Sequence, residues 1–328
     1  MNHDAIVECV PNFSEGTDAA KVREIVAAMN VDGVRLLDWS LDGAHNRSVV
    51  TVAGSPEAVM EAAVRAVGKA AQLIDLTQQN GVHPRIGAAD VVPFVPVSGI
   101  SLAECAVLAR QAGLQIWRRY GVPVYFYGAA AMRPDRVELE DVRRGQFEGL
   151  REAALRDAMR RPDVGGPELH SKAGASAVGA RSFLIAYNVY IEPAGLALHS
   201  SSEENGAAHT SPVQPDIAAA RAIARDIRDG RASHGGLRGV KAIGVIANGR
   251  AQVSMNITDY RATPMRHVYD TVKAIAERHG VSIAEGELIG LIPEAAFEPD
   301  SNWVRQTSSF NSELKVLERK LHQPMKWP

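Results

Sequence analysis

The chain has 328 residues, of which 46% are hydrophobic and 23% are charged, and its formal net charge is -2. This composition excludes a disordered chain and predicts a soluble globular protein that is long enough for two domains. A near-neutral charge offers no basic surface for nucleic acid, and no apolar run approaches the roughly 20 residues of a membrane helix. We also find no signal-peptide pattern, so we expect a cytoplasmic protein without nucleic-acid or membrane partners.

The first hundred residues predict alternating strands and helices. Strands are predicted at Ala5 to Val10, Val34 to Trp39, Arg47 to Ala53 and Val91 to Val97, and helices at Asp18 to Met29 and from Ser55 onwards. The second helix has a capping serine followed by Pro56 and Glu57, which is a typical helix start. The resulting order is βαββαβ, the ferredoxin-like unit.

Next, Ser101 to Glu104 forms a capping box that opens a helix reaching Tyr120. A strand is predicted from Val122 to Tyr127, and residues 137–159 are expected to be helical with a break near Gly145. Residues 162–179 are rich in glycine and small side chains, and we interpret them as the passage between two domains.

The second half of the chain repeats the pattern. Strands are predicted at Arg181 to Ile191, Val240 to Ala247, Gln252 to Thr258 and Leu288 to Ile292, and helices at Ile217 to Arg228 and Thr263 to His279. We therefore predict an α+β fold of two ferredoxin-like βαββαβ subdomains, with helices packed on the sheets and a substrate cleft between the subdomains. The predicted boundaries are 1–179 and 180–328, with a mobile insertion at about 193–215. Ser312 to His322 is a further helix that packs on the body or on a partner subunit.

The stretch from Asn80 to Pro96 carries the strongest chemical signal. It joins a loop containing His83 and Arg85 to Asp90, which directly precedes an apolar run. Histidine exchanges protons near neutral pH, and arginine presents a planar fork that suits a carboxylate. Asp90 is either a turn residue or the carboxylate that orients His83, and His83 itself is either catalytic or a surface histidine in a turn.

Other polar candidates lie outside that stretch. His45, Asn46 and Arg47 form either a polar site or a solvated strand start, and Arg181 opens a predicted strand where it could hold an anion. The ten histidines show no H-x-H, H-x-x-x-H or H-E-x-x-H spacing, and no C-x-x-C occurs, so we expect no metal site. Cys105 is predicted to be core packing, while Cys9 leaves a nucleophile open as an alternative.

Four ordered segments resemble the formiminotransferase family. They are residues 8–16 (ECVPNFSEG), 46–49 (NRSV), 81–96 (GVHPRIGAADVVPFVP) and 179–188 (GARSFLIAYN). The resemblance implies two ferredoxin-like subdomains, a homodimer, and transfer of a formimidoyl group from N-formimidoyl-L-glutamate to tetrahydrofolate, which acts as co-substrate without a metal. It gives His83 the catalytic role, and Asp90 is the candidate carboxylate beside it. Because both substrates carry carboxylates, Arg47, Arg85 and Arg181 are candidates for binding them, with His45 and Asn46 next to Arg47 as further candidates.

The resemblance also implies a folate-binding segment, which comprises Gly165, Gly166, Pro167, Glu168, Leu169, His170, Ser171, Lys172, Ala173 and Gly174. Two departures from the family pattern stand out. Ala173 replaces an expected aromatic residue, and Ser40 replaces an acid for which Asp38 or Asp42 could substitute. A related enzyme that uses a formyl or other one-carbon folate substrate, or a non-catalytic folate-binding protein, therefore stays open. Cyclisation of the product would require a separate cyclodeaminase.

Overall fold

The computed structural model describes residues 5–43, 45–79, 81, 84–194, 215–228 and 236–328. The chain forms two compact units, Met1–Ser182 with Leu321–Pro328 (unit 1) and Phe183–Lys320 (unit 2). Each unit has its own β-sheet and its own buried apolar cluster. Most of the predicted insertion at 193–215 lies outside the described residues.

Unit 1 contains seven strands and five helices in its described part. The strands are β1 (Ile6–Cys9), β2 (Asn12–Phe13), β3 (Val34–Asp42), β4 (Arg47–Gly54), β5 (Ala89–Ser98), β6 (Val124–Gly128) and β7 (Ser176–Ala180). The helices are α1 (Ala19–Ala28), α2 (Pro56–Leu73), α3 (Leu102–Tyr120), α4 (Leu139–Val142) and α5 (Gln146–Arg156).

The antiparallel part of this sheet has the predicted ferredoxin-like arrangement. β1 and β2 act as one interrupted strand, because both pair with β4 on one side and β5 on the other. Pro11 lies at the interruption, where its missing N–H would leave a gap in the ladder. With β3 outside β4, the order is β3–β4–β1/β2–β5, so the first βαββαβ prediction is confirmed.

A parallel extension of the sheet was not predicted. β7 pairs in parallel with β5, and β6 pairs in parallel with β7 on its other side. β7 therefore belongs to the sheet of unit 1, although it comes from the glycine-rich stretch that we interpreted as an interdomain passage. Its small residues are required by packing, since a Cβ on Gly179 would lie 2.6 Å from the Tyr127 carbonyl oxygen.

Local capping explains where two helices of unit 1 begin. The Asp18 side chain accepts hydrogen bonds from the backbone N–H groups of Ala20 and Lys21 at the start of α1. Ser101 and Glu104 form the predicted capping box of α3. Ser55 differs from the prediction, because its side chain makes no cap hydrogen bond and α2 begins on the proline at its first position.

Two apolar clusters fill unit 1. The larger one packs α1, α2 and α3 against the sheet and includes Val59, Ala63, Val67 and Ala70 of α2, together with Ile74 directly after it. The second cluster joins Val142 of α4 and Leu150 of α5 to Tyr125 and Tyr127 of β6. α4 and α5 are separated at Gly145, whose φ of +89° only glycine adopts readily.

Unit 2 repeats the ferredoxin-like order. Its elements are β8 (Ile185–Pro193), α6 (Ile217–Ile227), β9 (Val240–Ala247), β10 (Arg250–Ile257), α7 (Met265–Arg278), β11 (Val281–Ile289), α8 (Asn302–Gln306), α9 (Ser312–Lys315) and α10 (Leu317–His322), the last of which runs into unit 1. The sheet order is β11–β8–β10–β9 and all pairs are antiparallel, which confirms the second βαββαβ prediction.

Two strand boundaries in unit 2 were predicted wrongly. β8 begins at Ile185 instead of Arg181, and the last strand is Val281–Ile289 instead of Leu288 to Ile292. We predicted the last strand from the apolar run after Glu287. The observed strand begins earlier, because Val281 to Glu287 is half-polar, is only partly buried and gives no clear apolar pattern.

Ser312 to His322 forms two short helices instead of the single helix that we predicted. Val316, at the break between α9 and α10, forms a β-bridge with Ile292 and is buried in the core of unit 2. Beyond α10 the chain returns to unit 1, where the Met325 N–H donates to the Leu36 carbonyl at 2.7 Å.

None of the helices in the described ranges combines the length and hydropathy that crossing a lipid bilayer requires.

Candidate functional site

A cleft in unit 1 collects four separate segments of the chain. It is lined by Asn12, Phe13, Ser14, His45, Asn46, Arg47, Gln79, Arg85 and Asp90. These residues come from β2, from the turn between β3 and β4, from the loop after α2 and from the start of β5. The cleft therefore unites four of the five predicted substrate-binding residues with Asp90.

The ECVPNFSEG motif ties these segments together. Ser14 Oγ donates to the Gly87 carbonyl at 2.7 Å in a buried position. The Gly16 N–H donates to Asn46 Oδ1 at 2.9 Å, and Gly16 has no room for a Cβ beside the backbone of Arg47. The motif thus holds both the β3–β4 turn and the loop that precedes β5.

The β3–β4 turn presents a histidine held by an aspartate. Asp42, the last residue of β3, accepts the His45 backbone N–H at 3.0 Å, and its other carboxylate oxygen lies 2.6 Å from His45 Nδ1. Asn46 occupies the left-handed region with φ of +49°, which asparagine tolerates better than most residues. Gln79 Nε2 donates to the Asn46 carbonyl at 3.0 Å, so the loop after α2 supports the same turn.

Arg47 is a half-buried cation at the first residue of β4. Burial and the neighbouring charge of Arg143 lower the pKa of Arg47 to about 10, against the opposing effects of Asp90 and Asp42. A guanidinium in this setting stays protonated at neutral pH and can bind an anionic ligand.

Asp90 is buried and accepts hydrogen bonds from a backbone N–H and from a guanidinium. Its Oδ1 accepts the Ile86 N–H at 2.8 Å, and its Oδ2 accepts a hydrogen bond from the Arg143 guanidinium. His83, which Asp90 was expected to orient, lies outside the described residues together with Asn80 and Val82. The role of Asp90 towards His83 stays a prediction.

Arg85 is engaged by protein groups around its whole guanidinium. Nε donates to the Gln79 side chain, and Nη2 donates to the Gln79 carbonyl at 3.0 Å and to the Leu76 carbonyl at 3.4 Å. Nη2 also lies 3.0 Å from Glu148 Oε1 on α5, and the Arg85 carbonyl accepts the Phe147 N–H at 2.8 Å. Arg85 therefore closes the loop after α2 and attaches it to α5.

Arg181 is placed away from the cleft lining. Its backbone N–H donates to Phe94 at 3.1 Å, and its side chain donates to the Ser182 carbonyl at 3.1 Å. Burial raises the pKa of Tyr127 to about 12, and the Arg181 charge opposes that rise, which places the guanidinium near the Tyr127 hydroxyl.

The predicted folate segment is joined to the loop that carries His83. Leu76 N–H donates to the Lys172 carbonyl, Ala88 N–H to the Ala173 carbonyl, and Ala175 N–H to the Ile86 carbonyl, each at 2.9 Å. Lys172 Nζ also lies 3.6 Å from Asp75 Oδ2. Sequence reasoning named both segments separately, and the structure shows that they pair.

Within the folate segment, backbone pairing between residues 170 and 174 forms a tight turn. His170 Nδ1 accepts the Ala173 N–H at 2.9 Å, so the ring supports the turn. Ala173, which replaces the expected aromatic residue, is buried in the large core of unit 1. Gly165 packs against Trp117, where a Cβ would lie 2.6 Å from the indole ring.

Sequence reasoning missed four residues of this region: Asn12, Gln79, Arg143 and Glu148. Asn12 lies within a quoted motif and could have been included on that ground. Arg143 and Glu148 meet Asp90 and Arg85 across 53 and 63 residues of chain, and no local pattern marks such partners.

Cys9 is unsuited to act as a nucleophile. Its side chain is fully buried in the core of unit 1, and burial raises the pKa of the thiol well above its ordinary value. Since the thiolate is the reactive form, the nucleophile alternative loses its support.

Comparison with known proteins agrees with the arrangement of motifs. The model of the formiminotransferase domain, N-terminal subdomain, matches residues 6–181, and that of the formiminotransferase domain matches residues 212–319.

Individual relatives align over most of the chain. The glutamate formimidoyltransferase of Streptococcus pyogenes serotype M1 is 39% identical over 319 residues, which cover 96% of this chain and 98% of that protein. The glutamate formimidoyltransferase of Thermoplasma acidophilum is 40% identical over 322 residues, which cover 97% of each. The formimidoyltransferase-cyclodeaminase of Rattus norvegicus is 37% identical over 294 residues, which cover 88% of this chain and 50% of that protein. These matches establish that the chain belongs to the formiminotransferase family.

Proposed function

We propose that this protein is an enzyme that transfers the formimidoyl group from N-formimidoyl-L-glutamate to N5 of tetrahydrofolate and releases L-glutamate. The observation that carries the proposal is the similarity to two glutamate formimidoyltransferases over nearly the whole chain. The substrates are small and anionic, and the cleft with the half-buried Arg47 suits a carboxylate of either one.

The reaction requires attack, proton transfer and departure of an amine. The N5 lone pair attacks the formimidoyl carbon, and the C=N π electrons move to the terminal nitrogen to form a tetrahedral intermediate. N5 loses its proton, the glutamate nitrogen gains one, and the C–N bond to glutamate breaks as the C=N bond forms again. The proton lost by N5 equals the proton gained by the glutamate nitrogen, and no step changes an oxidation state.

We assign the proton transfers to His83, with Asp90 as the carboxylate that orients it. We assign substrate carboxylates to Arg47 and Arg85 in the cleft and to Arg181 outside its lining, with His45 and Asn46 also in the cleft. The pairing of the folate segment, residues 165–174, with the loop around His83 supports a pterin placed near the reacting groups. Holding both substrates together would supply much of the acceleration.

We further propose an N-terminal subdomain of residues 1–179 that holds the catalytic loop and a C-terminal subdomain of residues 180–328. As wider context, we propose a cytoplasmic homodimer whose product passes to a separate cyclodeaminase. The formimidoyltransferase-cyclodeaminase of Rattus norvegicus is named for both activities. This chain covers about half of the length of that protein.

The test is release of glutamate from N-formimidoyl-L-glutamate by the purified protein, with and without tetrahydrofolate. We expect release that depends on tetrahydrofolate and falls by about 10²–10⁴-fold in His83→Ala, with folate binding preserved. The exposed His267 on α7 offers a matched control, since His267→Ala should keep wild-type activity. Tight folate binding without any release by the wild-type protein would refute the transferase and favour a folate-binding protein.

A further inference from the structure

A second imidazole at the cleft is held in a geometry suited to proton transfer. His45 lines the cleft, its side chain is 23% exposed, and both carboxylate oxygens of Asp42 contact it. One oxygen binds the backbone N–H at 3.0 Å, and the other lies 2.6 Å from Nδ1. The carboxylate therefore sets both the position of the residue and the tilt of its ring.

The contact with Asp42 determines the chemistry of the ring. A carboxylate at Nδ1 keeps the proton on that nitrogen, so that Nε2 is the atom at which the neutral ring accepts a proton. The same carboxylate stabilises the imidazolium once it has formed, as in catalytic aspartate–histidine pairs generally.

The turn that carries His45 is supported on two sides. Asn46 accepts a hydrogen bond from Gly16 through its side chain and one from Gln79 through its carbonyl. Such bracing limits the rearrangement that the ring would undergo when it gains a proton. The charged groups that share the cleft are Arg47, Arg85 and Asp90, with Asp42 behind the ring.

We propose that His45 is a catalytic residue that accepts the proton of tetrahydrofolate N5, with Asp42 as its positioning residue. This inference rests on the proposed transferase function and divides the two proton transfers between two histidines. The N5–H bond breaks, its electron pair stays on nitrogen, and the proton moves to His45 Nε2. His83 supplies the proton that the departing glutamate nitrogen takes up, and solvent exchange restores both rings after turnover.

Steady-state kinetics of His45→Asn tests the proposal. Asparagine can still donate to Asp42 but cannot accept a proton in place of Nε2. We expect kcat to fall by about 10²-fold or more, while KM for N-formimidoyl-L-glutamate and the folate dissociation constant change by less than about threefold. Asp42→Asn should lower kcat to a smaller degree, with partial recovery in Asp42→Glu.

A second histidine–aspartate pair in the same chain supplies the control. His279 Nε2 lies 3.5 Å from Asp226 Oδ2 in unit 2, and their side chains are 31% and 22% exposed. His279→Asn and Asp226→Asn should leave kcat at the wild-type value. Imidazole added to His45→Ala should restore part of the lost rate, which a purely structural role of the ring would not allow.

The outcomes separate this proposal from the function on which it rests. Wild-type protein without tetrahydrofolate-dependent glutamate release would remove both. Wild-type activity together with an unchanged kcat in His45→Asn would overturn the role of His45 alone. Loss of kcat without imidazole rescue, accompanied by a lower melting temperature, would also overturn it and would leave the Asp42 pair as a support of the turn.

Discussion

At the scale of single residues, the buried Arg85 stabilises a loop at the edge of the cleft. The Arg85 guanidinium meets two carbonyls, one amide side chain and the Glu148 carboxylate, and its side chain is only 10% exposed. Glu148 is 64% exposed, so solvent screens the ion pair and the backbone acceptors account for most of the effect. Arg85 therefore shapes the loop whether or not it also touches substrate.

Arg85→Lys tests that role. Lysine keeps the charge but lacks the planar fork, so the carbonyls of Leu76 and Gln79 would lose a shared donor. We expect the free energy of unfolding to fall by about 1 to 3 kcal/mol, measured by urea denaturation. Arg156→Lys on the exposed face of α5 is the control and should stay within about 0.5 kcal/mol of wild type. Equal stabilities of the two variants would contradict the structural role of Arg85.

At the scale of elements, the loop after α2 and the segment before β7 form one paired structure. An isolated bridge joins Gly87 and Gly174, and backbone hydrogen bonds flank it on both sides. Both glycines are required by close approach, because a Cβ on either one would overlap a carbonyl oxygen of the opposite segment. Residues that the sequence places about ninety positions apart thus act as a unit.

Gly87→Ala should separate the two segments. The new methyl group would collide with the Ala175 carbonyl, so we expect a loss of about 1 to 3 kcal/mol in stability and weaker binding of tetrahydrofolate by calorimetry. Gly149→Ala is the matched control, since its Cβ would meet no atom within 4 Å in α5. That control should stabilise the protein by about 0.5 to 1 kcal/mol. Unchanged folate affinity in Gly87→Ala would argue against coupling between the two segments.

The start of α1 predicts a dependence of stability on pH. Glu15 Oε1 accepts hydrogen bonds from the Thr17 and Asp18 N–H groups and from the Thr17 hydroxyl, and its side chain is 9% exposed. Burial favours the neutral carboxyl, but these hydrogen bonds and Lys21 outweigh it and lower the pKa of Glu15 below its ordinary 4.5. The folded state therefore binds the Glu15 proton less readily than the unfolded state.

Because the pKa of Glu15 is lower in the folded state than in the unfolded state, the stabilisation from Glu15 is fully present above the unfolded-state pKa. It is lost as the pH falls through the folded-state pKa. Unfolding free energies at pH 7 and near pH 3 should therefore differ less in Glu15→Gln than in wild type. Glu24→Gln, on an exposed position of α1, should reproduce the wild-type dependence. A pH dependence of Glu15→Gln identical to wild type would show that the carboxylate hydrogen bonds do not persist in solution.

At the scale of the whole molecule, each unit has its own core, and the chain returns from unit 2 to unit 1 at its last residues. Met325 and Trp327 pack against the large cluster of unit 1, and Arg35 Nη1 donates to the Leu321 carbonyl at 2.7 Å. Met325 also bridges Leu36 on β3, the outer strand of the described antiparallel ladder. The tail thereby covers an edge that would otherwise expose unpaired backbone groups.

Deletion of residues 323–328 should loosen β3. We expect faster hydrogen exchange of the amides from Val34 to Asp42, together with a loss of about 1 to 3 kcal/mol in the stability of unit 1. Exchange in β8 and β10 of unit 2 serves as the internal reference and should not change. Leu314→Ala, at an exposed position of α9, should leave β3 exchange at the wild-type rate. Wild-type protection of β3 after the deletion would refute a role for the tail.

Much of this molecule could be predicted from local patterns. Apolar periodicity and capping signals predicted both βαββαβ units, the helix that begins at the Ser101 capping box and the break near Gly145. β7 escaped prediction because Ser176–Ala180 consists of small residues, which carry no clear hydrophobic period. The candidate residues around Arg47, Arg85 and Asp90 were found because they lie inside contiguous motifs.

The sequence by itself determined the two βαββαβ units, the family and the four motifs, since each depends on residues that are neighbours along the chain. Only the tertiary structure decided that Asp90 pairs with Arg143, that Arg85 binds Glu148, and that residues 172–175 pair with the segments on either side of the His83 loop. The physical reason is that a buried charge or an open backbone group must find a partner, and that partner is selected by proximity in the folded chain. His45 illustrates the difference, because its partner Asp42 is close in sequence, yet only the fold places the pair on a cleft with Arg47 and Asp90.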